Sequence, residues 1–193
     1  MAEERPLAGL TSALLDLGAW LDAAGLRAAV IGGVAASLVG RPRLTRDVDC
    51  LVVGGDAEHL LRTAQEFGFR PRIPDATSFA LESQVVLLRH ETSGVDVDVT
   101  LGALPFEEEV VARATRVGVA GVTLPVATAE DLVVMKAVAG RPRDLADIEG
   151  ILDARPDLDV ARVRALVRAF AETLEAPRIL TALETLLREY GAG

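Results

Sequence analysis

Two stretches of the chain alternate aspartate with apolar residues at a period of two, which restricts strongly how they can fold. The first is DVDCLVV, residues 47–53, and the second is GVDVDVTLG, residues 94–102. Side chains on a β-strand point alternately to opposite faces. Each stretch is therefore predicted to be a strand with its aspartates on one face and its apolar residues on the other. Cys50 falls on the apolar face and is predicted to be a core residue, not a nucleophile.

The remaining apolar spacing predicts one α/β (α+β) core followed by helices. Strands are predicted at residues 27–31 and 47–53, in an antiparallel hairpin of 83–90 and 94–102, and once or twice within 117–127. Helices are predicted at residues 7–24, 34–39, 56–66, 128–138, 143–154, 159–174 and 177–190, with another beginning at Pro105. These elements place an α/β core at residues 1–125 and a helical region at residues 126–193.

Charge and composition exclude several classes of protein. The formal net charge is −9, whereas nonspecific nucleic-acid binding depends on a surplus of Lys and Arg, so any contact with a polyanion must be local. The single cysteine rules out an internal disulfide. The N-terminus lacks the pattern of a signal peptide, and no apolar stretch approaches the roughly 20 residues that span a bilayer. We expect a cytoplasmic protein without a membrane contact.

The aspartates of the two alternating stretches predict a metal site. If the strands are neighbours in one sheet, up to four carboxylates gather on one patch, from Asp47, Asp49, Asp96 and Asp98. A solvated sheet face would show the same alternation, but like charges on adjacent strands repel each other unless a cation neutralises them. Carboxylate oxygens without His or Cys suit Mg²⁺ or Mn²⁺, and neither His59 nor His90 is predicted to be a ligand.

A glycine pair and a single lysine point to phosphate chemistry. Gly32 and Gly33 stand between a predicted strand and a helix start, where backbone N–H groups can approach an anion. The spacing fits neither G-x-x-x-x-G-K-[ST] nor G-x-G-x-x-G. Of the 20 basic residues 19 are arginines, and the only lysine is Lys136. A compact positive charge, which the lysine ammonium group provides, is therefore predicted to be needed at position 136. Chance retention of a single lysine explains the observation equally well.

The motifs GGVAASLVGRPRLTRDVD and DLVVMKAVAGRPRDLADI resemble those of the DNA polymerase β-like nucleotidyltransferase superfamily. Within it, they are similar to the AbiEii-like abortive-infection toxin branch, over roughly residues 27–155. Gly33 departs from the pattern, because many members have Ser there. The resemblance implies a polymerase β-like nucleotidyltransferase fold, a mixed sheet flanked by helices with further helices after it.

The resemblance also implies site roles for particular residues. Asp47, Asp49 and Asp98 would be catalytic and would bind two Mg²⁺ or Mn²⁺ ions, with Asp96 as the alternative third carboxylate. A nucleoside triphosphate would be bound by Gly32, Gly33, Thr45, Arg46, Lys136 and Arg143. Asp144 is a further candidate, from the motif RPRDLADI. That motif also fits a plain surface ion-pair network in which Arg143 and Asp147 pair four residues apart on a helix.

The implied activity is transfer of a nucleoside monophosphate to an acceptor hydroxyl with release of pyrophosphate. The branch implies a toxin-antitoxin type of enzyme acting on RNA such as the 3′ end of tRNA, with a cognate antitoxin as partner. Basic residues that could meet RNA or only the triphosphate are Arg41, Arg43, Arg46, Arg141 and Arg143. The alternatives are a nucleotidyltransferase acting on an antibiotic or a protein, and a non-catalytic nucleotide-binding or antitoxin component.

Overall fold

The computed structural model describes residues 4–119 and 121–191, and its helices and strands confirm the predicted α/β fold. The helices are α1 (Glu4–Ala23), α2 (Gly32–Val39), α3 (Ala57–Ala64), α4 (Ala76–Ser83), α5 (Pro105–Arg113), α6 (Ala129–Ala139), α7 (Pro142–Ala154), α8 (Val160–Thr173) and α9 (Arg178–Glu189). The strands are β1 (Arg27–Ile31), β2 (Asp47–Val53), β3 (Phe69–Pro71), β4 (Val85–His90), β5 (Asp96–Gly102), β6 (Thr115–Val119) and β7 (Val122–Val126).

The strands of the described residues form one mixed sheet in the order β3-β4-β5-β2-β1-β7-β6. The predicted hairpin is present, because β4 and β5 pair antiparallel. Strand β2 lies between β1, which it meets antiparallel, and β5, which it meets parallel. The two aspartate-bearing strands are therefore direct neighbours near the middle of the sheet.

Burial follows the alternation of the sequence. Val48 and Cys50 on β2, and Val97 and Val99 on β5, are fully buried. Since burial of apolar surface is the main favourable term in folding, this face of the two strands is anchored in the core and the aspartates must face the other way. The predicted core position of Cys50 is confirmed, and burial, with the charge of Asp49 as a smaller cause, raises the pKa of its thiol to about 12.

Three local features differ from the predictions. The chain between residues 67 and 82, where no element is predicted, contains β3 and most of α4, and Ser83, which is predicted to begin a strand, ends α4. The predicted helix at 56–66 is shorter, because Asp56 caps α3 and residues 65–67 continue as a 3-10 helix. The predicted break at Gly32 and Gly33 is reduced to one residue, since β1 ends at Ile31 and α2 begins at Gly32, whose φ of +65° makes the turn between them. The stretch predicted as one or two strands includes residue 120, which lies outside the described residues.

By its contacts the described chain divides into two compact units. One comprises residues 1–34 and 45–127, and it contains the sheet. The other comprises residues 35–44 and 128–193, so the helices from α6 onward group with an earlier segment. In this helical unit Leu132 of α6, Ile148 and Ile151 of α7, and Val163 of α8 are buried. None of the helices in the described part of the chain is both long and apolar enough to cross a membrane.

Candidate active site

Four aspartates stand in register on one face of the sheet unit. In the parallel pairing of β2 with β5, Asp47 is opposite Asp96 and Asp49 is opposite Asp98. Adjacent strands are about 4.8 Å apart, so the structure brings together the four carboxylates that the alternation predicted to share a face. Asp47 is exposed and the other three are partly buried. The cluster is therefore open to a ligand from solvent while its strands are fixed by the core.

An arginine that belongs to none of the predicted motifs contacts the aspartate cluster. Arg72, which follows β3, places its Nη1 atom 2.7 Å from Oδ2 of Asp96 and its Nη2 atom 2.5 Å from Oδ1 of Asp98. Arg89 of β4 adds a second pair to Asp96, at 2.7 Å, from the position directly across the β4–β5 ladder. Asp96 thus has two arginine partners, whereas Asp98 shares one of them.

The two β5 carboxylates differ in acidity as a result. The hydrogen bond from Arg89, helped by Arg72, holds the pKa of Asp96 below its ordinary value. Burial raises the pKa of Asp98, and the negative charges of Asp49, Asp96 and Asp47 add to this effect against the opposing charge of Arg72. Asp98 is therefore the carboxylate of the pair that most needs an additional positive charge.

Gly32 lies directly against one of these carboxylates. Its φ angle is +65°, and a Cβ atom at this position would overlap the carboxylate of Asp49. Glycine adopts positive φ without steric cost and has no Cβ, so the residue meets both demands. Gly33 is the next residue and is buried. The glycine turn predicted to face phosphate is therefore adjacent to the aspartate cluster.

Two further residues that are predicted to contact the nucleotide, Thr45 and Arg46, lie in the segment before β2. The hydroxyl of Thr45 donates a hydrogen bond to Oδ1 of Asp47 at 2.8 Å, which orients that carboxylate. Arg46 is exposed. Both residues belong to the sheet unit, together with Gly32, Gly33 and the four aspartates.

A complete protein cage for a metal ion is absent from the described residues, where no group of three or more His, Cys, Asp or Glu side chains is arranged to hold one. The donor set is nevertheless of the right chemistry, since its atoms are carboxylate oxygens. Mg²⁺ typically binds through one or two carboxylates, and water and substrate phosphates complete its coordination. The residues thus fit Mg²⁺ bound together with a nucleotide, and Asp47, Asp49 and Asp98 stay the predicted ligands.

The remaining predicted site residues belong to the helical unit, where Lys136 is buried with only 6% of its surface exposed. Its Nζ atom lies 3.3 Å from Oδ1 of Asp144 and 2.6 Å from Oδ2 of Asp147. Arg141 pairs with Asp144 at 2.6 Å, and Arg43 pairs with Asp147 at 2.5 Å. The motif RPRDLADI and Lys136 thus form one ion-pair network inside this unit.

The network controls the acidity of both aspartates. Burial alone would raise the pKa of Asp144, but Arg141 and Lys136 outweigh it and hold the pKa below its ordinary value. In Asp147 the same opposing effect of burial is outweighed by Arg43 and Lys136. Both carboxylates are therefore ionised at neutral pH and neutralise the lysine.

Arg143 differs from the other basic residues of the motif. The predicted pair between Arg143 and Asp147 is wrong, because Asp147 pairs with Arg43 and Lys136. Arg143 is exposed in the first turn of α7 and lines a cavity of about 320 Å³ with Arg41 and Arg43. Its guanidinium is available to an anion that enters this cavity.

Comparisons with known proteins give the family and the fold of the chain. The family described as "Nucleotidyl transferase of unknown function (DUF2204)" matches residues 11–185. No curated protein matches the sequence. Among solved structures, the antibiotic-resistance factor ANT(2'')-Ia in solution is 18% identical with a TM-score of 0.59, covering 88% of this chain and 95% of that one.

Two further solved structures share the fold. ANT(2'')-Ia in complex with adenylyl-2''-tobramycin is 17% identical with a TM-score of 0.58, covering 86% of this chain and 98% of that one. An antigenic nucleotidyltransferase-like protein from Paracoccidioides brasiliensis is 17% identical with a TM-score of 0.52, covering 89% of this chain and 92% of that one. These likenesses confirm the predicted fold. The AbiEii-like branch stays a prediction.

Proposed function

The chain belongs to the family of nucleotidyl transferases of unknown function (DUF2204), and from that premise we propose that it transfers a nucleoside monophosphate from a nucleoside triphosphate to an acceptor hydroxyl with the help of Mg²⁺. Family membership makes the chain an enzyme, so the non-catalytic alternative is set aside. The observation that carries the proposal is the register of Asp47 and Asp49 with Asp96 and Asp98 on one face of the sheet.

Asp47, Asp49 and Asp98 are the residues that would hold Mg²⁺. When bound, Mg²⁺ supplies electrostatic stabilisation of the charge that develops around the α-phosphate. Asp98 is preferred over Asp96 because it is opposite Asp49 and has one arginine partner among the described residues, whereas Asp96 pairs with both Arg72 and Arg89.

The chemical step is an in-line displacement. The acceptor oxygen forms a bond to the α-phosphorus, the bond between the α- and β-phosphates breaks, and pyrophosphate leaves. The acceptor hydroxyl loses its proton in this step, and Asp98 is the candidate base, since its carboxylate lies partly exposed on the aspartate-bearing face of the sheet. Asp49, fixed between its strand and Gly32, keeps its carboxylate in one place during the reaction.

The nucleotide contacts follow from the positions of the predicted residues. Gly32 and Gly33 begin α2, and backbone N–H groups at a helix start favour a phosphate. Thr45 and Arg46 directly precede Asp47, and Arg46 is exposed to meet an anion. The roles of Lys136 and Arg143 at the triphosphate are further parts of the proposal. Arg143 is exposed, whereas Lys136 would first have to release a carboxylate of Asp144 or Asp147.

The acceptor proposed from the toxin resemblance is RNA, such as the 3′ end of tRNA, with a cognate antitoxin as partner. The ion pairs of the helical unit weaken the case for RNA, because Arg41, Arg43 and Arg141 pair with Asp153, Asp147 and Asp144. Binding to RNA needs cations that face phosphates, and the net charge is −9.

A small cationic acceptor that carries a hydroxyl is the second candidate, and the acidic character of the protein favours it. Opposite charges raise the local concentration of a ligand and speed its association. The structural neighbour ANT(2'')-Ia was solved in complex with adenylyl-2''-tobramycin. Tobramycin is therefore a first test compound for this chain.

The proposal is tested by following the α-phosphate. The protein is incubated with Mg²⁺, each of the four α-labelled nucleoside triphosphates and a whole-cell extract or tobramycin, and RNA, protein and small molecules are then separated. We expect label in one fraction, no label with Asp47→Ala, and no label after chelation of divalent cations. Transfer by a folded Asp47→Ala/Asp49→Ala protein at the unmutated rate would refute the assignment.

A further inference from the structure

Arg72 divides its guanidinium between the two β5 aspartates. Nη1 pairs with Asp96 at 2.7 Å and Nη2 with Asp98 at 2.5 Å. Its side chain is only 21% exposed, so these pairs are screened less than those of a free surface residue. The guanidinium thus lies against the carboxylate that the proposed function assigns to a metal ion.

The backbone fixes Arg72 in this position. The residue follows β3, whose last residue Pro71 is opposite Leu88 on β4, and its own N–H donates to the carbonyl of Leu87 at 3.1 Å. Leu87 in turn is opposite Asp98 in the β4–β5 ladder. The edge strand β3 therefore places Arg72 beside β4, from where its side chain reaches the aspartate cluster.

The two partners of Arg72 are not equivalent. Asp96 has a second cation, because Arg89 pairs with it at 2.7 Å. In the described part of the chain, Arg72 is the only residue that forms an ion pair with Asp98. If Arg72 moved away from Asp98, Asp96 would remain neutralised, while Asp98 would face the charge of Asp49 across the strand pair.

We propose that Arg72 is a positioning residue that holds Asp98 in place while no divalent cation is bound, and that it competes with the cation for this carboxylate. The inference rests on the proposed function. A divalent ion carries twice the charge of a guanidinium and is the largest local charge in a site that contains one. On binding of a divalent ion, Asp98 would release Arg72, and Arg72 would keep its pair with Asp96.

The test is binding of Mn²⁺ to the full chain, measured by electron paramagnetic resonance both without nucleotide and with a non-hydrolysable nucleoside triphosphate. Arg72→Gln removes the competing charge, and we expect it to bind Mn²⁺ about tenfold more tightly than the unmutated protein. Arg89→Gln is the matched control, because it removes an arginine from Asp96 only and is expected to leave the affinity unchanged. Arg72→Lys keeps one charge without the two-pronged geometry and is expected to fall between them. If circular dichroism shows that Arg72→Gln does not fold, Arg72→Lys serves as the test instead.

The outcomes separate this inference from the proposed function. Asp98→Asn is expected to weaken Mn²⁺ binding, and if it does not, the proposed metal site fails and the inference fails with it. If Asp98→Asn weakens binding but the Arg72 variants bind Mn²⁺ no more tightly than the unmutated protein, only the inference is refuted. A gain with Arg89→Gln as large as the gain with Arg72→Gln would also refute it, since the effect would then be general electrostatics.

Discussion

The carboxylate of Asp49 occupies the space in which any residue other than glycine at position 32 would place its Cβ atom. The turn from β1 into α2 is therefore sterically complementary to Asp49, the second aspartate of β2. This contact links the glycine motif and the Asp-x-Asp motif sterically, although they are separate in sequence.

Gly32→Ala is expected to abolish transfer, because the new methyl group displaces the Asp49 carboxylate. The positive φ angle adds a cost of about 1 kcal/mol to folding. Gly54→Ala is the matched control, since Gly54 has a φ of +69° but open space around its Cβ position. Equal loss of transfer in the two folded variants, measured with labelled nucleotide, would contradict the steric explanation.

Asp98→Asn and Asp96→Asn are expected to separate the two candidates for the third carboxylate. Asp98→Asn removes a proposed metal ligand and should lower kcat at least about 100-fold, a range typical of the loss of a general base. Asp96→Asn removes a carboxylate engaged by two arginines and should lower kcat much less. Steady-state rates at saturating nucleotide give the comparison, and the reverse order would move the assignment to Asp96.

Lys136→Met is expected to destabilise the protein by about 2 kcal/mol, because it removes one of the two cations that neutralise each buried carboxylate of Asp144 and Asp147. Arg143→Met, a change at an exposed position of the same motif, should alter the free energy of unfolding by less than about 0.5 kcal/mol. Urea denaturation of the two variants measures the difference. Similar values for both would mean that the ion-pair network contributes little.

Acid should weaken the network of the helical unit. The pKa values of Asp144 and Asp147 lie below their ordinary values in the folded protein, so their contribution to stability is present above about pH 4 and is lost as the pH falls through the folded values. Urea unfolding at a series of acidic pH values should show this loss. Asp144→Asn/Asp147→Asn should show a shallower decline, and an unchanged slope would assign the acid sensitivity to other carboxylates.

Features with a local period were predictable from the sequence. The alternation of DVDCLVV determined which side chains of β2 face the core, and the same pattern in β5 gave the second pair of aspartates. Burial of Val48, Cys50, Val97 and Val99 confirms this interpretation. The alternation could not give the partner strand or the register, because these depend on chain segments that are distant in sequence.

The contact of Arg72 with the aspartates could not be predicted from the sequence, for a related reason. It follows a strand of only three residues and precedes a helix whose N-cap, Asp75, has a φ of +51°, so no periodicity marks its surroundings. Lys136 was predicted to meet phosphate, and its burial with Asp144 and Asp147 depends on the packing of α6 with α7, which the apolar spacing of α6 does not reveal. In both cases the missing information is which charged partner lies nearby in space.

The helical unit is built from two separate parts of the chain. Its early part supplies Arg43 to Asp147 and the Arg41 N–H to the carbonyl of Gly150. During synthesis this early part is made before residues 45–127 of the sheet unit and before the later helices with which it packs. A fragment that begins at residue 128 would lack these contacts, so formation of the unit depends on a segment that is made well before its later helices.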